Sequence, residues 1–179
     1  RSIREGLLAI FRGTPGLPGL GIRYVLVKSL ARSCGDNVYI GPYAMLSYLG
    51  QCDIGSNVRI REFCNIGCSG GLTIGNDVSL ASFTVVLTTD HDHSQFDMPM
   101  RSAPTIKSPV VIEDGVWVGT RVVITSGVTI GHETVIGSGA VVTKDIPPYS
   151  IAVGVPAKVI KTRKTLVDTD HPMQTPEVN

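Results

Sequence analysis

The sequence predicts an all-β chain wound into a parallel β-helix with a triangular cross-section. The first observation is an aliphatic residue at every sixth position between Ile112 and Val142. A period of six is neither the 3.6 residues of an α-helix nor the two of a β-strand, so it indicates a short structural repeat. The second observation is three similar phrases that begin at Cys34, Ile54 and Ile74, twenty residues apart. Three hexads and two extra residues at one corner account for that spacing.

Superposing the hexads predicts three columns of inward-facing side chains. Neighbouring coils of such a repeat pair their backbones, and each buried aliphatic side chain contributes about 1.5–3 kcal/mol. The repeat stops after Val86 and resumes at Ile112, which predicts an inserted loop at about residues 91–109. The columns are Cys34, Ile54, Ile74, Ile112 and Ile130; Ile40, Ile60, Leu80, Val118 and Ile136; and Leu46, Ile66, Val86, Ile124 and Val142.

The two ends of the chain lack the repeat. Residues 1–33 predict a short amphipathic helix in SIREGLLAIFR, a break in TPGLPGLG and a second helix in IRYVLVKSLAR. We interpret this segment as a cap over the core, with contact of its basic amphipathic surface with a membrane as the alternative. The prolines of KDIPPY are expected to end the repeat. The β-helix domain is therefore predicted to span residues 34–162, its last part folding back as a strand or helix, with a loose tail at 163–179.

Composition limits the function classes. A formal net charge of +1 provides no basic field for nucleic acid. Hydrophobic residues make up 42% of the chain and charged residues 17%, which is enough for a buried core. The four cysteines are too few for a disulfide framework, and Cys64 is expected to be a small core residue. Because no apolar run reaches the roughly 18 residues of a membrane span, we expect a cytoplasmic protein, with association at the inner face of the membrane as the alternative.

The hexads, the TTDHDH segment and the closing phrase VVTKDIPPYSIAVGVPAKVIK together resemble the hexapeptide-repeat acyltransferases. The resemblance covers about residues 34–162 and is strongest to the sugar and polysaccharide O-acetyltransferases of the galactoside and maltose type. It implies a left-handed β-helix, a homotrimer with intersubunit active sites, and acetyl-CoA as the acyl donor with no metal required. The implied acceptor is a hydroxyl of a sugar or surface-polysaccharide precursor. N-acetylation of an amino sugar and a non-catalytic scaffold are the alternatives.

The resemblance places a catalytic general base at His91, where the insertion begins. A hydroxyl has far too high a pKa to ionise near neutral pH, whereas imidazole titrates in the right range to accept its proton. Direct transfer in a ternary complex is expected, without a covalent acyl-enzyme. One of Asp90, Asp92 and Asp97 is expected to orient the imidazole.

His93 follows His91 by two residues and is assigned to the acceptor site or to tuning of His91. A DHxH metal clip is the competing interpretation. A catalytic zinc site usually needs three protein ligands, and the other histidines of the chain are His132, on the outside of a coil, and His171, in the tail. Metal catalysis is therefore disfavoured.

The remaining site residues are carried over from the resemblance. Arg61 and Ser69 replace an asparagine and an aspartate of the relatives, a departure that disfavours a simple galactoside as acceptor. Arg61 and Glu62 lie on one corner of the repeat. The implied contacts with coenzyme A are Trp117, Thr120, Ser138, Gly139, Thr143, Lys144 and Lys161, and those with the acceptor are Arg61, Asn65, Ser69, His93 and Arg101.

Overall fold

The structure is a computed structural model that describes residues 3–94 and 96–163. Two helices come first, α1 (Ile3–Ile10) and α2 (Gly16–Leu30), separated by a 3₁₀ turn at Phe11–Gly13. Short strands follow: β1 (Ser33–Cys34), β2 (Tyr39–Ile40), β3 (Met45–Ser47), β4 (Cys52–Ile54), β5 (Arg59–Ile60), β6 (Asn65–Gly67), β7 (Leu72–Ile74), β8 (Ser79–Leu80), β9 (Val85–Val86), β10 (Thr89–His91), β11 (Thr105–Lys107), β12 (Val110–Ile112), β13 (Trp117–Val118), β14 (Val123–Ile124), β15 (Thr129–Ile130), β16 (Val135–Ile136), β17 (Val141–Val142), β18 (Ser150–Val153) and β19 (Lys158–Thr162).

The strands form the three faces of a prism, and successive coils pair in parallel. Face A has the order β1-β4-β7-β12-β15, and face C the order β3-β6-β9-β14-β17. Face B has the order β2-β5-β8-β13-β16-β18-β19, with only its last pair antiparallel. We name the corners by the faces that they join: A–B, B–C and C–A. The predicted parallel β-solenoid is confirmed.

The registers between strands reproduce all three predicted columns. Ile54 pairs with Ile74, Ile60 with Leu80, and Ile124 with Val142. Most of these side chains have no exposed surface, whereas Cys34 in the first coil remains partly exposed. The core of the prism is therefore this set of stacked aliphatic side chains.

The two helices cover the open end of the prism, in agreement with the prediction that they form a cap. Val27 of α2 is fully buried, and Leu8 of α1 is 7% exposed. Arg23 is buried as well and donates from Nε to the carbonyl oxygen of Ile40, at 2.9 Å. Its Nη1 donates to the carbonyl oxygen of Thr14, at 2.7 Å, so one arginine ties the helices to the second strand. No helix in the described residues is long and apolar enough to cross a membrane, and membrane contact stays a prediction.

Two predictions at the ends of the repeat are wrong. Helix α2 begins at Gly16, inside the expected break, because Pro18 lies in its first turn, where a backbone N–H has no partner within the helix. The repeat also continues past KDIPPY. Ile146 bridges to Ile130, and β18 pairs in parallel with β16, because Pro147 and Pro148 fall at a corner and not in a strand.

The insertion leaves the prism as an antiparallel hairpin of β10 and β11, with His91 opposite Thr105. The fold-back that follows β18 is a strand, β19. Of the predicted tail, Arg163 is described and contacts Glu133, with Nη1 and Oε2 3.1 Å apart, and the rest lies outside the described residues.

Truncation of a column residue should destabilise the protein strongly. Ile60→Ala removes a fully buried side chain from the middle coils, and we expect a loss of about 2–5 kcal/mol in the free energy of unfolding, measured by urea denaturation. Arg59→Ala, on the same strand but exposed, is the control and should change it by less than about 0.5 kcal/mol. Equal effects of the two substitutions would contradict the assignment of the column as the core.

The junction of α2 and β1 with the next coil should respond to acid. Hydrogen bonds from Arg32 and Ser33 lower the pKa of Asp53 to about 2. The stabilisation is therefore complete above about pH 5, where the carboxylate of the unfolded chain is ionised, and it is lost as the pH falls toward 2. Asp53→Asn should lower the free energy of unfolding by about 1 kcal/mol or less at pH 7 and abolish this part of the acid dependence. Urea denaturation at pH 7 and near pH 2 measures both effects. An unchanged acid profile would contradict it.

Candidate active site

His91 lies at the end of β10, on the outside of the prism, and its ring is held by the hairpin. Its Nδ1 is 3.1 Å from the carbonyl oxygen of Ala103. A carbonyl oxygen only accepts hydrogen bonds, so in the neutral ring Nδ1 carries the proton and Nε2 has the free lone pair. This is the form that a general base needs. The group that orients the ring is thus a backbone carbonyl, and not one of the three aspartates that the sequence suggested.

Asp90 instead organises the turn around His91. Its Oδ1 accepts from the backbone N–H of His91, at 2.8 Å, and lies 3.3 Å from Nε2 of His93. These contacts, the backbone one first, lower the pKa of Asp90. His93 therefore faces Asp90, and its side chain is 71% exposed. Asp92 accepts from Ser94.

The predicted donor contacts fall on several parts of the prism. Thr120, Ser138 and Gly139 form one patch at corner B–C, where the N–H of Gly139 donates to the carbonyl oxygen of Thr120, at 2.8 Å. A Cβ at Gly139 would meet nothing within 4 Å, so the space in front of it is open. Trp117 and Lys161 are exposed on face B, on β13 and β19. Thr143 and Lys144 are exposed at corner C–A.

The predicted acceptor residues are divided as well. Arg61 is at corner B–C and Asn65 on face C, both exposed, whereas Ser69 is partly buried at corner C–A. Arg101 is exposed in a 3₁₀ turn of the insertion, beside Ala103 in sequence. The structure thus brings Ser69, Thr143, Lys144 and His91 to one corner, and Arg61 with the Thr120 patch to another. One hexad of extended chain, at most about 20 Å, separates these corners within a chain.

A hydrogen-bond network surrounds Glu62 at corner B–C. Its carboxylate accepts from the hydroxyl groups of Tyr39 and Ser82, both at 3.0 Å, and from Nε of Arg61, at 3.1 Å. Burial raises the pKa of Glu62, but its own backbone N–H and these three donors outweigh burial and hold the pKa below its usual range. Sequence reasoning named Arg61 and Glu62 but missed their partners. The twenty-residue register, which sets Ser82 beside Glu62, was a signal that could have found one of them.

The cysteines are structural. Cys52, Cys64 and Cys68 have no exposed surface, so the assignment of Cys64 to the core is confirmed. Burial raises the pKa of Cys64 to about 11. A hydrogen bond from Cys68, followed by burial, raises the pKa of Cys52. Thiols of this kind are poor nucleophiles at neutral pH.

A groove of about 530 Å³ lies at corner A–B, away from the residues described above. His132 lines it, as expected for a residue on the outside of a coil, with Nδ1 3.2 Å from Oε2 of Glu113. Its ring meets that of Tyr149 edge-on, with centroids 4.8 Å apart. Within residues 3–94 and 96–163, no three His, Cys, Asp or Glu side chains are grouped so as to hold a metal ion.

Comparisons with known proteins agree with this architecture. The family model of the bacterial transferase hexapeptide, described as six repeats, matches residues 109–144. The chain is 36% identical to galactoside O-acetyltransferase of Escherichia coli over 140 residues, which are 78% of this chain and 68% of that protein.

Two solved structures are also similar. A galactoside acetyltransferase in complex with coenzyme A has a TM-score of 0.83 and 29% identity, covering 99% of this chain and 87% of that one. A hexapeptide-repeat-containing acetyltransferase of Vibrio cholerae, complexed with acetyl coenzyme A, has a TM-score of 0.77 and 29% identity, covering 89% of this chain and 85% of that one.

The six-residue period, the stacked columns, the inserted hairpin with its histidine and these similarities lead to one conclusion. The chain belongs to the family of bacterial hexapeptide-repeat acetyltransferases.

Proposed function

We propose that this protein transfers an acetyl group from acetyl-CoA to a hydroxyl of a sugar or glycan precursor, with His91 as the general base. The observation that carries the proposal is the hydrogen bond between Nδ1 of His91 and the carbonyl oxygen of Ala103, which leaves Nε2 free to accept a proton. The similar proteins named above, a galactoside O-acetyltransferase and structures that hold coenzyme A or acetyl coenzyme A, support the donor and the class of acceptor.

The proposed reaction needs one proton to move twice. Nε2 of His91 takes the proton of the acceptor hydroxyl as its oxygen attacks the thioester carbonyl carbon. The new C–O bond forms, the C–S bond breaks, and the sulfur leaves with the bonding electrons. The imidazolium then returns its proton to the thiolate, so that the products are the O-acetylated glycan and coenzyme A with a free thiol. No acyl group is attached to the protein at any step.

The residues proposed for the donor have suitable chemistry. Lys144 and Lys161 are exposed and can meet phosphate groups. The open space at Gly139, together with Thr120, Ser138 and Thr143, lets a narrow pantetheine chain approach the backbone closely. Trp117, 53% exposed, offers an apolar surface. Arg61, Asn65, Ser69, His93 and Arg101 are proposed to contact the acceptor.

We further propose that the active site lies between the subunits of a homotrimer. Within one chain, His91 projects from corner C–A, whereas the Thr120 patch lies at corner B–C, across face C. Proton transfer requires contacts of about 2.6–3.2 Å. A cyclic trimer that sets corner C–A of one copy against corner B–C of the next would bring the two sets together.

Replacing His91 tests the base. His91→Ala should lower kcat for coenzyme A release by about 10²–10⁴-fold and leave the affinity for coenzyme A nearly unchanged, because only the proton acceptor is lost. Thiol release with a panel of sugar acceptors gives kcat, and mass spectrometry locates the acetyl group on oxygen or nitrogen. The matched control is His132→Ala, a histidine at the opposite corner that should keep its activity. Full activity of His91→Ala would overturn the assignment, and acetylation only of amines would point to an N-acetyltransferase.

Mixing two inactive variants tests the intersubunit site. One variant carries His91→Ala, and the other carries Trp117→Glu with Lys161→Glu on the exposed surface of face B. If each site uses His91 from one copy and face B from the next, refolded one-to-one mixtures should recover about a quarter of the wild-type activity, since one pairing in four is intact. Sites contained within single chains would recover none. Light scattering of each variant checks that the trimer persists, and a monomeric wild type would contradict the proposal.

A further inference from the structure

We propose that Arg61 is a preformed anion-binding group, and that the glycan acceptor therefore carries a phosphate or carboxylate group. The proposal rests on the acetyl transfer proposed above and adds to it the charge class of the acceptor.

Arg61 is held from one side only. Its Nε donates to Oε2 of Glu62, at 3.1 Å, and its guanidinium carbon lies 5.7 Å from the centroid of the Tyr39 ring. In the described residues neither Nη group has a partner, and the side chain is 47% exposed. A guanidinium oriented through Nε and an aromatic ring presents its Nη groups outward as a fixed fork, which matches the oxygens of a phosphate or carboxylate.

Glu62 has the position of an orienting group and not of a ligand. Its side chain is 23% exposed, and three donors from three coils occupy its two oxygens: Tyr39, Arg61 and Ser82. The carboxylate is therefore fixed before any substrate arrives, and it fixes Arg61 in turn. The hydroxyl groups of a neutral sugar can form equally good hydrogen bonds with an uncharged side-chain amide. A guanidinium with its own orienting carboxylate gains an advantage when the partner is an anion.

The charge around Arg61 supports the same conclusion. The strands of face B and the segments of corner B–C are described throughout, and they contain five basic residues and one acidic residue. These are Arg59, Arg61, Arg121, Lys158 and Lys161, with Glu62 as the acid. Such a surface attracts anions before contact.

Four of these five basic residues form two groups, with room for two anions, whereas the guanidinium of Arg121 lies over the ring of Phe83. Arg59 and Arg61 belong to β5 and the corner after it, whereas Lys158 and Lys161 are on β19. These strands are five positions apart in the sheet, or about 24 Å at the usual spacing. Of the lysines at the far end, Lys161 is proposed above to meet a phosphate of coenzyme A. The arginines are thus available to a second anion, and the acceptor is the remaining substrate.

Three acceptors and four proteins test the proposal. The acceptors are a hexose, the corresponding hexose 1-phosphate and the corresponding hexuronic acid, which separate a phosphate from a carboxylate. The proteins are the wild type, Arg61→Gln, Glu62→Gln and Lys28→Gln, the last being a control that removes one exposed positive charge from α2. The measurements are kcat/KM for thiol release, and calorimetric titration of each acceptor into the coenzyme A complex.

In the wild type at least one anionic acceptor should be favoured over the hexose by about tenfold or more, in binding and in kcat/KM. Arg61→Gln should reduce this ratio by about 10–100-fold, with unchanged affinity for coenzyme A, and Lys28→Gln should leave the ratio unchanged. Glu62→Gln separates orientation from charge. If the preference for the anionic acceptor depends on the orientation of Arg61, the ratio falls. If it depends only on the electrostatic field of the basic residues, the ratio rises because a negative charge is lost.

The outcomes that overturn the proposal are distinct from those that overturn acetyl transfer. Three results would each refute the preformed anion site. They are a hexose that binds as tightly as both anionic sugars, an anion-to-hexose ratio that Arg61→Gln leaves unchanged, and a ratio that rises in Glu62→Gln. Weakened coenzyme A binding in Arg61→Gln would assign Arg61 to the donor and refute it too. Arg61-dependent binding of an anionic sugar without acetylation would support the anion site and refute the proposed reaction.

Discussion

Parallel backbone pairing between successive coils is the constraint on which the rest of this structure depends. Each strand of the prism is only two to four residues long in most places, so no strand is stable without the coils above and below it. A slip of one residue would turn the inward side chains of a strand outward. The aliphatic columns oppose this slip, because the side chain of Ile60 or Ile124 would move from a closely packed interior into water. Differences in coil length are therefore taken up at the corners.

This backbone pairing also aligns the equivalent corner residues of successive coils. A residue at one corner lies beside its counterparts twenty residues away in the early coils and eighteen in the late ones. Tyr43, Phe63 and Phe83 consequently stack as a ladder, with ring centroids 5.2 and 5.0 Å apart, and the guanidinium of Arg121 continues it at 5.8 Å. The three aromatic residues have φ angles of 60° to 64°, in the left-handed region that favours glycine. Contacts between equivalent side chains stabilise this conformation, and the same alignment sets Ser82 against Glu62.

The predictability of each feature depends on whether it follows the period. The columns and the place of the insertion could be predicted, because burial repeats every six residues. The start of α2 and the coil beyond Pro147 could not, since both depend on where a proline falls relative to a turn. The sequence proposes His91 as the base because the family resemblance places a histidine where the repeat is interrupted. Its orientation was not predictable, because Ala103 is twelve residues away across a hairpin that carries no periodic signal.

The enlarged corner of the coil before the insertion and the inserted hairpin belong to one arrangement at corner C–A. The side chain of Thr88 is buried at the base of the hairpin, where Oγ1 donates to the carbonyl oxygen of Gly67, at 2.8 Å, and accepts from the N–H of Gly70, at 2.9 Å. A Cβ at Gly70 would lie 1.8 Å from the carbonyl oxygen of Thr88, so this close approach requires glycine. That carbonyl also accepts from the N–H of Ser108, which closes the hairpin. The extra residues of the preceding coil thus form the surface on which the hairpin rests.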